Sequence, residues 1–287
     1  MWWPVIFSAR PRRTVSTSGS SGMGLSSCPM RRQETREQPE AEADFGFSRV
    51  PLGAKAPLVR AVFDSVAGRY DLMNDLMSGG IHRWWKAEMI AWLAPRAGQK
   101  LIDVAGGTGD IACRAMKRLD PEKGGGVVVC DVNEQMLEIG RARAIDDGIL
   151  AGLEWVCGDA EALPVADRSA DLYTIAFGLR NVTHIERALA EARRVLKPGG
   201  RFICLEFAPM VVPWLAGAYD LYSFRVLPLI GQAVTGDRDA YTYLAESIRR
   251  FPPQAELCEL IEAAGFEQVR FRNLTGGIAA LHSAWRL

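Results

Sequence analysis

The chain is poor in the groups from which metal centres and disulfide frameworks are built. Its 287 residues include three histidines, His82, His184 and His282, too dispersed to suggest a metal triad. The six cysteines are Cys28, Cys113, Cys130, Cys157, Cys204 and Cys258, and no two form a Cys-x-x-Cys pair. Cys130, Cys157 and Cys204 fall in apolar, strand-like runs, which predicts buried free thiols in a reducing compartment. Excess charge is also lacking: Lys+Arg 34 balances Asp+Glu 34, so global charge gives nucleic-acid binding no support. No charge-free apolar run reaches the ~18 residues that a membrane-spanning helix needs. The nearest approach, Phe207 to Val234, is interrupted by Pro209, Pro213, Arg225 and Pro228.

The amino-terminal segment, residues 1–44, lacks acidic residues before Glu34 and carries Arg10, Arg12, Arg13, Arg31 and Arg32 among Ser, Thr, Gly and Pro. That composition fits a disordered extension, a targeting segment, or sequence upstream of an internal start at Met23 or Met30. Residues 45–287 read as one domain.

What is present is concentrated in Leu101-Ile-Asp-Val-Ala-Gly-Gly-Thr-Gly-Asp110. Leu101 to Val104 reads as a buried strand, Gly106, Gly107 and Gly109 as a turn, and Ile111 to Leu119 as a helix. Glycines there permit left-handed angles and let a ligand approach the main chain. A second apolar run, Val127 to Cys130, ends in Asp131, a carboxylate at a strand tip that suits a ribose diol. Position 112, where a dinucleotide fingerprint has its third glycine, is Ala112, which disfavours NAD. Asp103, inside the first strand, would repel a pyrophosphate but suits a cationic amino-acid cofactor. S-adenosyl-L-methionine, with its positive sulfonium and α-amine, fits these residues. Thr108 offers the loop a hydroxyl, and Asp159, after the third strand, can accept from an adenine amino group.

Candidate strands at 101–105, 127–131, 154–157, 171–176 and 201–206 alternate with helices at 110–119, 133–145 and 184–196. This is the pattern of a mostly parallel sheet covered on both faces. Lys197-Pro198-Gly199-Gly200 reads as a helix stop. Helices are also expected from about 57, over 82–93, 242–250 and 254–264. Two closing runs, 266–271 and 278–283, suggest an antiparallel pair at the sheet edge. Phe177-Gly178-Leu179-Arg180-Asn181-Val182-Thr183 follows the fourth strand, where catalytic groups belong in open sheets; the alternative is an Arg–carboxylate pair on the surface and a helix N-cap supplied by Thr183.

Three segments carry a family resemblance. Phe63-Asp-Ser-Val-Ala-Gly-Arg-Tyr-Asp-Leu-Met-Asn-Asp-Leu-Met-Ser-Gly-Gly-Ile-His-Arg83 and Arg180-Asn-Val-Thr183 are specific; Leu196-Lys-Pro-Gly-Gly200 is shared more widely. With the ending Gly276-Gly-Ile-Ala-Ala-Leu-His282, residues 45–287 resemble the ubiquinone/menaquinone biosynthesis C-methyltransferase family. The resemblance implies a Rossmann-like class I α/β fold, with a seven-stranded, mostly parallel sheet and an antiparallel last strand. It implies S-adenosyl-L-methionine contacts from Thr108, Asp131, Asp159 and Ala160, and at Ala176 only a backbone contact, because family members can carry serine there. The implied reaction is methylation of a ring carbon of a polyprenylated benzoquinol, of a demethylmenaquinol, or of both.

In that reaction Arg180 is expected to stabilise the developing phenolate, Asn181 to orient the ring hydroxyl, and Tyr70 to wall the pocket or relay a proton. The general base is left open among Asp159, His184 and water. The prenyl tail implies peripheral membrane contact through the apolar stretch from Phe207, and a quinone-biosynthesis complex is a further implied partner. The expected location is the cytoplasm or inner-membrane surface of a bacterium, or the mitochondrial matrix side if residues 1–44 are a transit peptide. Competing readings are a methyltransferase for another phenolic or lipid-like acceptor, a non-catalytic subunit, and, last, an NAD-dependent oxidoreductase.

Overall fold

Strand alternation in this sequence feeds two cores rather than one core and solvent. In β3 (Lys100–Val104), Leu101 faces one cluster and Ile102 the other. In β4 (Gly126–Asp131), Val127 and Val129 join the first while Val128 and Cys130 join the second. A strand buried on both faces must be apolar throughout, which is why these runs are continuous rather than alternating. The computed structural model describes residues 42–66, 74–75, 78–208 and 238–287.

The remaining strands are β5 (Leu153–Cys157), β6 (Ala170–Ala176), β7 (Leu196–Phe207), β8 (Glu267–Leu274) and β9 (Ala279–Arg286), in the order β5-β4-β3-β6-β7-β9-β8. β9 runs antiparallel to both of its neighbours, and the pairings among β3 to β7 are parallel. Helices α2 (His82–Leu93), α3 (Asp110–Leu119), α4 (Glu134–Asp146) and α6 (Arg238–Arg250) contribute to the first core. Helices α5 (Ile185–Val195) and α7 (Gln254–Ala263) contribute to the second. Because β4 and β5 lie on one side of β3 and β6 on the other, the chain reverses its winding between β3 and β6. A crevice opens there, beyond the carboxyl ends of the strands.

Four expectations change. β7 begins at Leu196 rather than 201: the Pro198-Gly199 turn is absorbed as an irregularity in register between Ala170 and Leu172, with Gly199 at φ +78. Pro198 ends the helix by lacking an N–H, yet does not prevent the strand from starting. Residues 42–51 form a hairpin, β1 (Glu42–Phe45) and β2 (Ser48–Pro51), so the boundary drawn at residue 44 falls inside a strand. Helix α1 (Leu52–Val66) starts before Pro57 and carries it inside. Cys157 is exposed, because β5 is the sheet edge, whereas Cys130 and Cys204 are buried thiols. The amino-terminal segment to residue 41, the stretch from 209 to 237, and Tyr70 lie outside the described residues.

The second core edge carries an acid-sensitive group. His282 on β9 is 1% exposed, and its Nε2 donates to the Gln254 carbonyl at 3.1 Å, which leaves Nδ1 unprotonated and buried without a partner. Burial pushes its pKa from 6.5 down to about 4. The unfolded chain therefore binds a proton that the native state refuses between those values, and stability falls as pH drops through that window. The loss is expected to reach about 3 kcal/mol. Urea unfolding at pH 7 and pH 4.5 checks this: His282→Gln, which keeps a donor for Gln254, should show a shallower decline than the parent.

Candidate active site

The glycine turn after β3 is shaped by its packing. A Cβ on Gly106 would lie 2.6 Å from Val129 Cγ1 and 3.1 Å from Asp103 Oδ2. Gly109, at φ +76, begins α3, and a Cβ there would meet the Trp155 ring at 2.5 Å. Of the seven non-glycine residues at positive φ among the described residues, two flank the reversal point: Ala105 (φ 50) after β3 and Phe177 (φ 57) after β6. Each holds a strained turn at a strand end that borders the crevice.

Three carboxylates meet at these strand ends. Asp103 is 1% exposed; its Oδ1 accepts from the Thr174 hydroxyl at 2.8 Å, and its Oδ2 is buried without a partner. Burial raises its pKa to about 7 against the pull of Thr174 and the Ala112 backbone. Asp131 accepts from the Gly107 amide through Oδ2 and from the Asn133 amide through Oδ1, both at 2.9 Å. Burial raises its pKa, and those amides oppose the rise. Asp159 is exposed, and its Oδ1 accepts from the Glu161 amide at 2.9 Å.

Asp131, Asp159, Ala160 and Gly107 line one side of a cleft, with Phe177, Gly178 and Asn181. The other side is α1, through Ala56, Val59, Arg60 and Phe63. Asn133 ties α1 down: its Nδ2 donates to Asp64 Oδ1 at 2.7 Å while its Oδ1 caps α4 at the Met136 amide. A smaller cavity adjoins, sharing Ala105, Gly107 and Phe177, and is lined also by Asp103, Gly106, Thr108, Ala176 and Lys86. Every cofactor residue expected from sequence except Gly109 lines one of these two cavities, and Gly109 supports the loop by packing on Trp155. Asn133, Met136, Lys86 and the α1 face were not singled out. Asn133 had a legible signal, a helix cap directly after Asp131.

The catalytic candidates sit differently. Asn181 reaches the large cleft, accepts from the Tyr243 hydroxyl at 3.1 Å, and has Nδ2 3.4 Å from the Phe177 carbonyl. Arg180 does not line the cleft. Its guanidinium is 4% exposed and donates to Glu206 Oε2 at 2.8 Å and to the Phe177 carbonyl at 2.6 Å. The paired reading holds for Arg180, with the carboxylate buried rather than at the surface. His184 is bound to Glu161 at 2.8 Å, and His82 to Ser78 at 2.9 Å.

A large cleft with a ribose-type acceptor, joined to a small one holding an unpaired buried carboxylate, fits an adenosyl group linked to a cationic amino acid. With the strand order and the single reversed strand, this defines a class I S-adenosylmethionine-dependent methyltransferase. Solved structures agree on the fold. A possible histamine N-methyltransferase from Thermotoga maritima has TM-score 0.57 at 20% identity, covering 80% of this chain and 100% of that one. A putative methyltransferase from Methanococcus maripaludis has TM-score 0.54 at 17% identity, covering 77% and 91%.

The chain belongs to the ubiE/COQ5 methyltransferase family, whose model matches residues 52–286. It is similar to proteins named ubiquinone/menaquinone biosynthesis C-methyltransferase from Dinoroseobacter shibae (57% identity over 88% of this chain and 99% of that one) and Paracoccus denitrificans (58%, over 88% and 100%). A Brucella abortus relative of the same name is 56% identical over 86% of this chain and 91% of its own length. The chain is thus an enzyme that uses S-adenosylmethionine.

Asp131 both organises the loop and faces the cleft. Asp131→Ala removes the acceptor for two amides; if the same carboxylate takes a ribose diol, affinity for S-adenosylhomocysteine is expected to fall by about 10–100-fold. Isothermal titration calorimetry reads this directly.

Proposed function

We propose that the enzyme methylates a ring carbon of a polyprenylated quinol, either a 2-methoxy-6-polyprenyl-1,4-benzoquinol, a demethylmenaquinol or both. The observation that carries this reading is the match to relatives bearing that name over nearly their whole length. The apolar part of the cleft supports it: Ala56, Val59 and Phe63 of α1 face Phe177 and Asn181, while Asp131, Asp159, Glu161 and Arg60 make the rest of the lining charged. A flat, uncharged ring suits the apolar part.

Bound S-adenosylmethionine supplies an electrophilic methyl group on a sulfonium. The protein's share is placement. Asp103 holds the α-amine, Asp131 takes the ribose hydroxyls, and Asp159 with Ala160 borders the adenine. Phe177, held in its left-handed conformation, walls the reacting face. Asn181, steadied by Tyr243, orients a ring hydroxyl so that the adjacent carbon lies in line with the methyl group. Arg180 is a positioning residue in this reading: its charge is balanced by Glu206, and its contact with the Phe177 carbonyl fixes the wall.

Among the described residues no helix is long and apolar enough to cross a membrane. A prenylated substrate resides in the bilayer, so the enzyme works at its surface, with exposed Ile81 and Trp84 as available contacts. Tritiated S-adenosylmethionine, with each of the two acceptors kept reduced in detergent, tests the assignment. Label in either ring supports it, and the ratio of rates gives the substrate class. Absence of label from both, with saturable cofactor binding, overturns it.

A further inference from the structure

Lys86 is a buried cation to which the catalytic reading gives no task. It lies on α2 between Trp85 and core-facing Met89, and is 5% exposed. Its Nζ donates to Asp110 Oδ2 at 2.8 Å, while Asp110 Oδ1 accepts from Arg114 Nε at 2.7 Å. One carboxylate thus serves two cations. Burial pushes the Asp110 carboxyl up, but the Lys86 and Arg114 charges outweigh it and hold it at about 2. Arg114 is 31% exposed and can turn to solvent, so the buried member of the pair of cations is Lys86, which shares its one ion-pair partner.

Lys86 faces the smaller cavity, which is also lined by Asp103 with its unpaired Oδ2. One small enclosure therefore offers a carboxylate oxygen without a donor and an ammonium whose counter-charge is shared. The chemical complement is a zwitterionic amino acid.

The geometry points to Lys86 as the group that reads the α-carboxylate of the cofactor's methionine moiety, opposite Asp103 at its α-amine. This rests on the S-adenosylmethionine reading of the cleft. A compact ammonium suits the task, because its three donors can serve Asp110 and a ligand carboxylate together. His82, one turn earlier, does not compete, since its ring is engaged by Ser78. If Lys86 were only a strut between α2 and α3, every adenosyl ligand would feel its loss alike.

Calorimetric titration of the full chain with S-adenosylmethionine, decarboxylated S-adenosylmethionine and 5′-methylthioadenosine separates these roles. The parent protein is expected to prefer the carboxylated ligand by at least about tenfold. Lys86→Gln should weaken that ligand by about 10–100-fold and leave the other two within about threefold. Equal weakening of all three by Lys86→Gln overturns the inference. So does a parent protein that binds the carboxylated and decarboxylated forms alike, a comparison that does not depend on the variant folding. Failure of the parent to bind any of the three would instead remove the cofactor reading, and this inference with it.

Discussion

Asp103→Asn is expected to make the protein more stable at pH 8 while reducing cofactor affinity about a hundredfold or more. The native carboxyl has its pKa raised from 3.8 to about 7, first by burial. A raised carboxyl binds its proton more tightly in the native state than in the unfolded chain, so stability falls as pH rises from about 4 to 7. Fully ionised, the group costs up to about 4 kcal/mol. Asparagine keeps an acceptor for Thr174 and carries no charge, but its amide hydrogens go where Oδ2 already has no partner. That orphan cost trims the gain to about 1–3 kcal/mol, or several degrees in Tm.

At pH 5 the parent is already protonated there and the gain should vanish. The affinity loss follows from exchanging a charge-assisted hydrogen bond to an ammonium for a neutral amide. Thermal unfolding of both proteins at the two pH values, with and without S-adenosylhomocysteine, checks each half. A variant less stable than the parent at pH 8 would refute the argument. With Asp103 in its proposed role at the α-amine, the site stores instability that the ligand would relieve, the usual trade between stability and activity.

Much of this site was legible because its signals are local. The continuous apolar runs at 101–104 and 127–130, the three glycines, and the carboxylates at strand tips all act within a few residues of where they are read. The antiparallel closing pair was equally visible in the short spacing between its runs. What was hidden depends on distant partners. Arg180 is neutralised by Glu206, 26 residues further along, and only the β6–β7 pairing brings the two together. Lys86 meets Asp110 because α2 packs beside α3. The α1 face becomes a cleft wall through the Asn133–Asp64 hydrogen bond, across 69 residues. The hairpin at 42–51 escaped because its sequence is polar and irregular, and its turn is fixed by the Phe47 amide on Glu246 of α6.

The Arg180–Glu206 pair gives the second large effect, and the two partners should not behave alike. Both are almost fully buried, and the Glu206 carboxylate accepts from the Arg180 guanidinium, the Arg180 amide and the Phe207 amide. Removing one member of such a pair costs about 3–5 kcal/mol, because the other charge is left in low dielectric. Arginine has no escape, as it stays protonated throughout the accessible range. Glutamate does: burial already pushes Glu206 upward, and without Arg180 it can take a proton. Glu206→Gln should therefore be severely destabilising at every pH, whereas Arg180→Met should be milder at pH 5.5 and approach it only near pH 8.

The double variant Arg180→Met/Glu206→Leu removes both charges and should recover much of the lost stability. Urea unfolding of the four proteins at both pH values tests the asymmetry, and equal losses at pH 5.5 would count against it. The same double variant decides what Arg180 does in the reaction. As a positioning residue acting through the Phe177 carbonyl, its loss should lower kcat modestly once stability is restored, with the S-adenosylmethionine affinity retained. A fall in kcat beyond about a hundredfold in a stable double variant would instead place the guanidinium on the developing phenolate.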